Sequence, residues 1–138
     1  MDSELSKLEA IFLYLQQRAC ATHQTQTAYI DVKNNMITWQ RGNKKASHII
    51  TPTLQFDFLQ NSYGPPARPT GPITQATTFA DEKQQPCIKF FSNGIISSGS
   101  IYLVDKKHQI MGALTLGISQ VSYIRRYAYQ SNQWIVRH

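Results

Sequence analysis

One stretch of the sequence, residues 88–103, decides the fold, and it reads IKFFSNGIISSGSIYL. Asn93-Gly94 in its centre is the pair favoured in tight β-hairpin turns, because both residues tolerate positive φ. Phe90 before the turn is predicted to face inward. Gly99 after it permits a kink or a close backbone approach before the next strand. The stretch therefore predicts a hairpin between two strands.

Further strands are predicted on both sides of this stretch. Apolar residues alternate with polar ones at 28–32 and 36–41, around a turn at 33–35, and this pattern is typical of a β-hairpin. A third strand of the same kind covers 54–58. The segments predicted as strands after the central stretch share the same period, and they are 100–104, 110–116, 121–127 and 133–136, with a turn at 105–108.

The N-terminal segment 4–21 has the period of a helix instead, with Ser3 as a candidate N-cap. Its apolar stripe has spacings of three and four and consists of Leu5, Leu8, Phe12, Leu15 and Ala19. Ile11, Leu13 and Tyr14 add apolar surface outside the stripe. Two interpretations fit: a core helix lying on a sheet, or a helix that packs partly against other subunits. One helix followed by antiparallel strands predicts an α+β fold.

The segment 61–86 interrupts the strand pattern. Five of the six prolines fall in 52–72, and proline lacks the N–H that a central strand requires. A loop of this length is uncommon in a compact domain unless it binds something or is disordered, and both interpretations stay open.

Net charge is +6, with a sequence pI of about 9.5. Residues 106–138 carry five of those net charges, since they contain no Asp or Glu. This basic third could attract nucleic acid, anionic lipid or an acidic protein, or could simply keep exposed strands soluble. The candidate contact residues are Lys106, Lys107, Arg125, Arg126 and Arg137.

The sequence does not favour an enzyme. The four histidines are scattered without ligand spacing, no glycine loop opens a helix, and no serine lies in a nucleophile elbow, so we expect no metal, cofactor or catalytic residue. No apolar run reaches the ~20 residues needed to span a bilayer. Cys20 and Cys87 fit either a single disulfide or two small buried hydrophobic residues.

The stretch 88–103 resembles a motif of the GspH/FimT family, which comprises minor pseudopilins of type II secretion systems and minor type IV pilins. The shared pattern is a Phe, a short Asn/Asp-Gly turn, a small residue, a Gly and then Ile-x-Leu. The residues that carry it are Phe90, Gly94, Gly99, Ile101 and Leu103. The order of helix, hairpin, variable loop and C-terminal strands is also similar.

The resemblance implies a single type IV pilin-like domain over 1–138, with a helix at 4–21, a first β region at 27–60, a loop at 61–86 and a second β region at 87–138. It implies a structural pseudopilin at or near the pseudopilus tip, with the loop as its recognition element. We expect an apolar membrane-spanning segment before Met1, inner-membrane anchoring and a periplasmic sheet domain. The helix residues expected to pack in the assembly are Leu5, Leu8, Phe12 and Leu15.

The partners that the resemblance implies are other major and minor pseudopilins or pilins, with a secreted substrate and the outer-membrane secretin as further candidates. The alternative is a DNA-binding minor type IV pilin similar to FimT, which would use the basic C-terminal third. Tyrosines 123, 127 and 129, with Trp134, would then stack on bases. A third class, a free-standing binding module with a small-molecule pocket, also stays open.

Overall fold

The computed structural model describes residues 1–63, 72–79, 83, 85–118 and 122–137. Within these residues, helix α1 is followed by nine strands in two antiparallel sheets. The elements are α1 Asp2–Thr22, β1 Gln26–Asp31, β2 Met36–Arg41, β3 Lys44–Ile49, β4 Leu54–Phe56, β5 Cys87–Phe90, β6 Gly99–Asp105, β7 Met111–Ile118, β8 Ser122–Gln130 and β9 Gln133–Arg137.

Helix α1 begins two residues earlier than the sequence pattern predicts. Met1 occupies the N-cap position and makes no side-chain cap bond, so Ser3 lies inside the first turn and is not the cap. Asp2 and Glu4 share that turn, where negative charge interacts favourably with the helix N-terminus. His23 ends the helix in the left-handed conformation, with φ 57°.

The two carboxylates of this first turn each contact an outermost strand, one in each of the two sheets. Glu4 is buried, and its Oε1 lies 2.7 Å from Nε2 of His48 on β3. Asp2 accepts hydrogen bonds from the guanidinium of Arg137 on β9, with the Nη2 to Oδ2 distance at 2.7 Å. The start of the helix is therefore attached to both sheets.

Sheet A has the strand order β3-β2-β1-β5. Its β1–β2 hairpin pairs Ala28 with Trp39 and Ile30 with Ile37, which puts the predicted apolar residues on one face. Strand β3 has no counterpart among the strands that the sequence predicts. It lies at the sheet edge, where Lys44 and Lys45 oppose edge-to-edge pairing.

Sheet B has the strand order β4-β6-β7-β8-β9, so its last four strands form an antiparallel meander. A two-residue turn joins β8 to β9, and both of its residues, Ser131 and Asn132, have positive φ. Positive φ at both positions is typical of the type I′ turn, whose twist matches that of a hairpin.

The turn in the central stretch differs from the predicted two-residue hairpin. The N–H of Phe91 donates to the Ile95 carbonyl at 2.8 Å, and the N–H of Gly94 donates to the Phe91 carbonyl. Only Gly94 of the Asn-Gly pair has positive φ, at 90°. This is the geometry of a three-residue loop that ends in a left-handed glycine. The chain then crosses into sheet B, so β5 and β6 are not paired with each other.

The main core lies between α1 and the inner faces of both sheets, since α1 packs against β1 and β5 of sheet A and against β7 and β8 of sheet B. The ring of Phe12 packs 5.8 Å, centroid to centroid, from the ring of Phe90. Residues of both sheets meet the helix in one cluster; its strand members include Ala28, Ile30, Ile37, Ile88, Phe90, Ile101, Leu103, Leu114 and Leu116.

A second apolar cluster covers the outer face of sheet B. Tyr102, Val104, Met111 and Ala113 form its buried strand surface, and Ile73 packs over them. Burial raises the pKa of the Tyr102 phenol. This cluster places the side chains of the C-terminal hairpin next to the segment that follows β4.

Candidate functional site

The apolar stripe of the helix faces the chain's own core. Leu5, Leu8, Phe12 and Leu15 are at most 1% exposed. The expectation that these four side chains pack against neighbouring subunits is therefore wrong for this fold. The two sheets offer an apolar surface wide enough to cover the whole stripe, and burial there removes it from water.

A different part of the helix is available for contact. The helix flank patch consists of Ala10, Ile11, Leu13 and Tyr14 together with Trp39 of β2. Leu13 and Tyr14 are 40% and 38% exposed. A shallow, mostly apolar cavity of about 290 Å³ lies here, and it is lined by Ala10, Ile11, Tyr14, Trp39 and Arg41.

Trp39 also carries a buried polar atom. Its indole nitrogen has no hydrogen-bond partner within the described part of the chain. A buried donor without an acceptor costs about 1–3 kcal/mol. Because this nitrogen has essentially no exposed surface, Trp39 contributes to the helix flank patch through its apolar ring atoms only.

The motif residues of the central stretch build the junction between the helix and the sheets. Phe90, Ile101 and Leu103 are fully buried in the main core. The carbonyl of Gly94 accepts a hydrogen bond from the side-chain amide of Gln16 at 3.2 Å, which connects the turn to α1. The backbone at Gly99 lies against the ring of Phe79, so a side chain there would collide with it.

The basic residues do not converge on one surface. Arg125 extends over the ring of Tyr123 on the outer face of sheet B, 4.3 Å from the centroid. Arg126 points to the helix face, where its Nε lies 3.2 Å from Oε2 of Glu9 without an aligned hydrogen bond. Its cross-strand neighbour Arg137 pairs with the first helical turn.

Lys106 and Lys107 lie elsewhere, in the exposed turn between β6 and β7. Oδ1 of Asp105 organises this turn by accepting hydrogen bonds from the N–H groups of Gln109 and Ile110. The hydrogen bond from Ile110, followed by that from Gln109, lowers the pKa of the Asp105 carboxyl. The five predicted contact residues are thus divided among two sheet faces and a turn.

The two cysteines are not joined in a disulfide. Cys20 is exposed near the end of α1, and Cys87 is buried at the start of β5. The candidate Cys20–Cys87 bridge is therefore absent. Among the described residues, no three His, Cys, Asp or Glu side chains are grouped to hold a metal ion.

Part of the predicted 61–86 loop is held against sheet B. The N–H of Tyr102 donates to the Ala76 carbonyl at 2.8 Å, and Thr77 forms a bridge with Ile101. Tyr63 pairs with Pro72 in another isolated bridge. Residues 64–71, 80–82 and 84 of the predicted loop lie outside the described residues. The recognition role of this segment stays a prediction.

The aromatic residues predicted to stack on bases mostly pack on one another. The Tyr129 and Trp134 ring centroids are 4.8 Å apart, and the Tyr127 ring meets Trp134 edge-on at 6.5 Å. Cross-strand pairing produces this cluster, because Tyr129 lies opposite Trp134 and Tyr127 opposite Val136. The period-two spacing in the sequence predicts such packing. It does not show that Tyr129 and Trp134 line a cleft together with the segment that follows β4.

No helix among the described residues has both the length and the apolar character needed to span a bilayer. No family profile matches the sequence, and no curated protein sequence matches it significantly.

The solved structures that are similar to this chain include two of the minor pseudopilin EpsH from the type 2 secretion system of Vibrio cholerae. One has a TM-score of 0.59 at 16% identity and covers 92% of this chain and 95% of that chain. The other has a TM-score of 0.51 at 17% identity and covers 96% and 89%. The chain therefore has the α+β, type IV pilin-like fold of a GspH-like minor pseudopilin, as the motif resemblance predicts.

Proposed function

We propose that this protein is a structural subunit, and not an enzyme, that serves as a minor pseudopilin of a type II secretion pseudopilus. The observation that carries the proposal is the extent of the fold similarity, which includes 92% of this chain and 95% of the EpsH chain. Because the similarity extends over nearly the full length of both chains, it concerns the whole arrangement of helix and sheets and not a single common hairpin.

The helix flank patch supplies the surface for assembly. Leu13 and Tyr14 lie on the solvent side of the helix, whereas Ile11 and Trp39 are partly buried and pack against the main core. An apolar helix of a neighbouring pseudopilin fits this surface, because burying Leu13 and Tyr14 removes two large side chains from water. The partners are thus major and minor pseudopilins, with this subunit at or near the tip.

The location that goes with this role is the inner membrane, with the sheets in the periplasm. A secreted substrate and the outer-membrane secretin are further candidate partners there. The DNA-binding alternative has weaker support, because the described cations lie on separate surfaces and two of the arginines already face carboxylates. Phosphate binding requires several cations along one track.

The test is secretion by the organism that encodes this chain. Deletion of the gene should abolish release of type II substrates into the medium, and the intact gene should restore it. Tyr14→Asp should restore it poorly, by about tenfold less, because Tyr14 lines the cavity of the patch and a charge there removes hot-spot binding energy. Both the native and the substituted residue are solvent-exposed, so the fold should tolerate the change.

Gln24→Asp is the matched control, since it adds the same charge at an exposed position beyond the end of the helix and away from the helix flank patch. It should restore secretion fully. Normal secretion by the deletion strain would refute the proposal. Loss of DNA uptake in that strain, with salt-sensitive DNA binding that Arg125→Ala and Arg126→Ala abolish, would favour the alternative instead.

A further inference from the structure

A second cleft lies at the opposite surface of sheet B, away from the helix. The segment after β4 forms one wall and the β8–β9 hairpin forms the other, and the enclosed volume is about 850 Å³. This is within the range of roughly 300–1,000 Å³ that is usual for small-molecule sites. The cleft plays no part in the assembly surface proposed above.

Aromatic side chains form one part of its lining, namely Tyr63, Tyr129 and Trp134. The Trp134 ring is held from several directions. It packs against Tyr129 and against Tyr102, at centroid distances of 4.8 and 5.9 Å, and its Nε1 donates a hydrogen bond to the Tyr63 carbonyl at 2.7 Å. The ring of Tyr63 itself is half exposed. The cleft thus has a rigid aromatic wall with one open ring at its edge.

Side-chain amides form the other part, and they come from both walls. Gln60 and Asn61 belong to the segment after β4, and Asn132 and Gln133 belong to the hairpin turn. Each amide offers two N–H donors and a carbonyl acceptor. Within the described part of the chain, these four side chains make no hydrogen bond to protein groups, so their donors and acceptors are available to a ligand.

The described lining contains no Lys, Arg, Asp or Glu. A nucleic acid or an anionic lipid needs cations for its phosphates, and a charged peptide needs opposite charges, so these ligands fit the cleft poorly. A neutral ligand with many hydroxyl groups and apolar C–H faces fits both parts of the lining. Its hydroxyls would pair with the amides, and its C–H groups would lie on the electron-rich ring faces.

We propose that this cleft binds a neutral oligosaccharide. The sugar rings stack on Tyr63 and on the exposed part of Trp134, and Asn132 and Gln133 hydrogen-bond to the sugar hydroxyls. The backbone of the turn that carries Asn132 is fixed by the pairing of Gln130 with Gln133, so the position from which this amide extends is set before the ligand arrives. A preorganised site loses less conformational entropy on binding.

The experiment follows the two indole N–H signals of the intact chain in a ¹⁵N-¹H NMR spectrum, assigned with the Trp39→Phe variant. Chitotriose, maltotriose and cellotriose are titrated in turn. With at least one of them, the Trp134 signal should shift in a saturable way, while the Trp39 signal on the other side of the molecule should stay in place. Tyr63→Ala and Asn132→Gly should each weaken that binding by about tenfold.

Both variants should leave the fold intact. Tyr63 holds Trp134 through its backbone carbonyl, which alanine retains, and glycine accepts the φ of 62° at position 132. Tyr29→Ala is the matched control, because it removes another exposed tyrosine, 39% accessible against 51% for Tyr63, from sheet A, and it should leave the affinity unchanged. The proposal is overturned if none of the trisaccharides shifts Trp134, or if only a neutral tetrapeptide or oligothymidylate does. Either result leaves the secretion test unaffected.

Discussion

Gly99→Ala should destabilise the fold, because β6 begins in close contact with the segment before β5. A Cβ added to Gly99 would lie 2.8 Å from Cδ1 and Cε1 of Phe79 and 2.9 Å from Oγ1 of Thr78. The Phe79 ring is 3% exposed and cannot move into solvent without losing core contacts. Thr78 Oγ1 accepts a hydrogen bond from the Ser100 N–H at 2.9 Å, so it is also held in place.

The expected size of the effect follows from two opposing contributions. Forcing an extra carbon into a packed core costs about 1–3 kcal/mol. Replacing glycine by alanine where the backbone accepts it stabilises by about 0.4–1 kcal/mol, because the unfolded chain has fewer conformations. We therefore expect the free energy of unfolding to fall by roughly 1–2 kcal/mol.

Urea unfolding followed by circular dichroism measures this change. Gly117→Ala is the matched control in the same sheet, since the nearest atoms to its Cβ would be the phenol end of Tyr123, at 3.1 Å, and Ser98 Oγ, at the ordinary contact distance of 3.4 Å. Phe79→Leu in the Gly99→Ala background should recover part of the loss, and a double-mutant cycle isolates that coupling. If Gly99→Ala costs no more than Gly117→Ala, or if no coupling is found, the close approach is not what requires glycine.

Three further predictions concern other parts of the chain. Phe12 is buried in the core, so Phe12→Ala should lower the free energy of unfolding by about 3–5 kcal/mol in the same urea assay. Leu13 is exposed, so Leu13→Ala should change it by at most about 0.5 kcal/mol. Similar losses for the two variants would contradict the assigned helix orientation. The pKa of Asp105 is lower in the folded than in the unfolded chain, so its ionised carboxylate stabilises the fold above about pH 4. That contribution disappears as the pH falls through the folded-state pKa. The urea midpoints of wild type and Asp105→Ala should therefore differ at neutral pH and converge near about pH 2. A constant difference would exclude this linkage. Cys20 should react with a thiol reagent in the native protein and Cys87 only after unfolding without reductant. If neither thiol reacts in denaturant without reductant, the two cysteines are bridged and the prediction is wrong.

The helix and most strands are predictable because their signals are local. The stripe that begins with Leu5 and Leu8 defines the buried helix face, and the alternation around Ile30 and Ile37 defines the first hairpin. Strand β3 is different, since its sequence KKASHI contains one large apolar residue, and that residue, Ile49, is 67% exposed. An edge strand with little to bury has little period-two signal to detect.

The long-range arrangement could not be obtained from local patterns. The sequence shows a turn at Gly94 but does not show that the chain passes from one sheet to the other there. Glu4 carries a favourable charge for a helix start, yet nothing near it predicts burial beside His48, which is 44 residues away. The amide-and-aromatic cleft could not be predicted from local patterns either, because its walls come from segments about 70 residues apart, as the Tyr63–Trp134 contact shows.

The double attachment of the first helical turn has a mechanical consequence. A force applied to the start of α1 acts on the outermost strand of sheet A through the Glu4–His48 contact and on the outermost strand of sheet B through the Asp2–Arg137 contact. It also acts on both sheets through the buried apolar stripe of the helix. The load is then shared by both sheets at once, and the strands are not peeled away one after another. In the proposed assembly, such load sharing would let the sheets follow a displacement of the helix without unfolding.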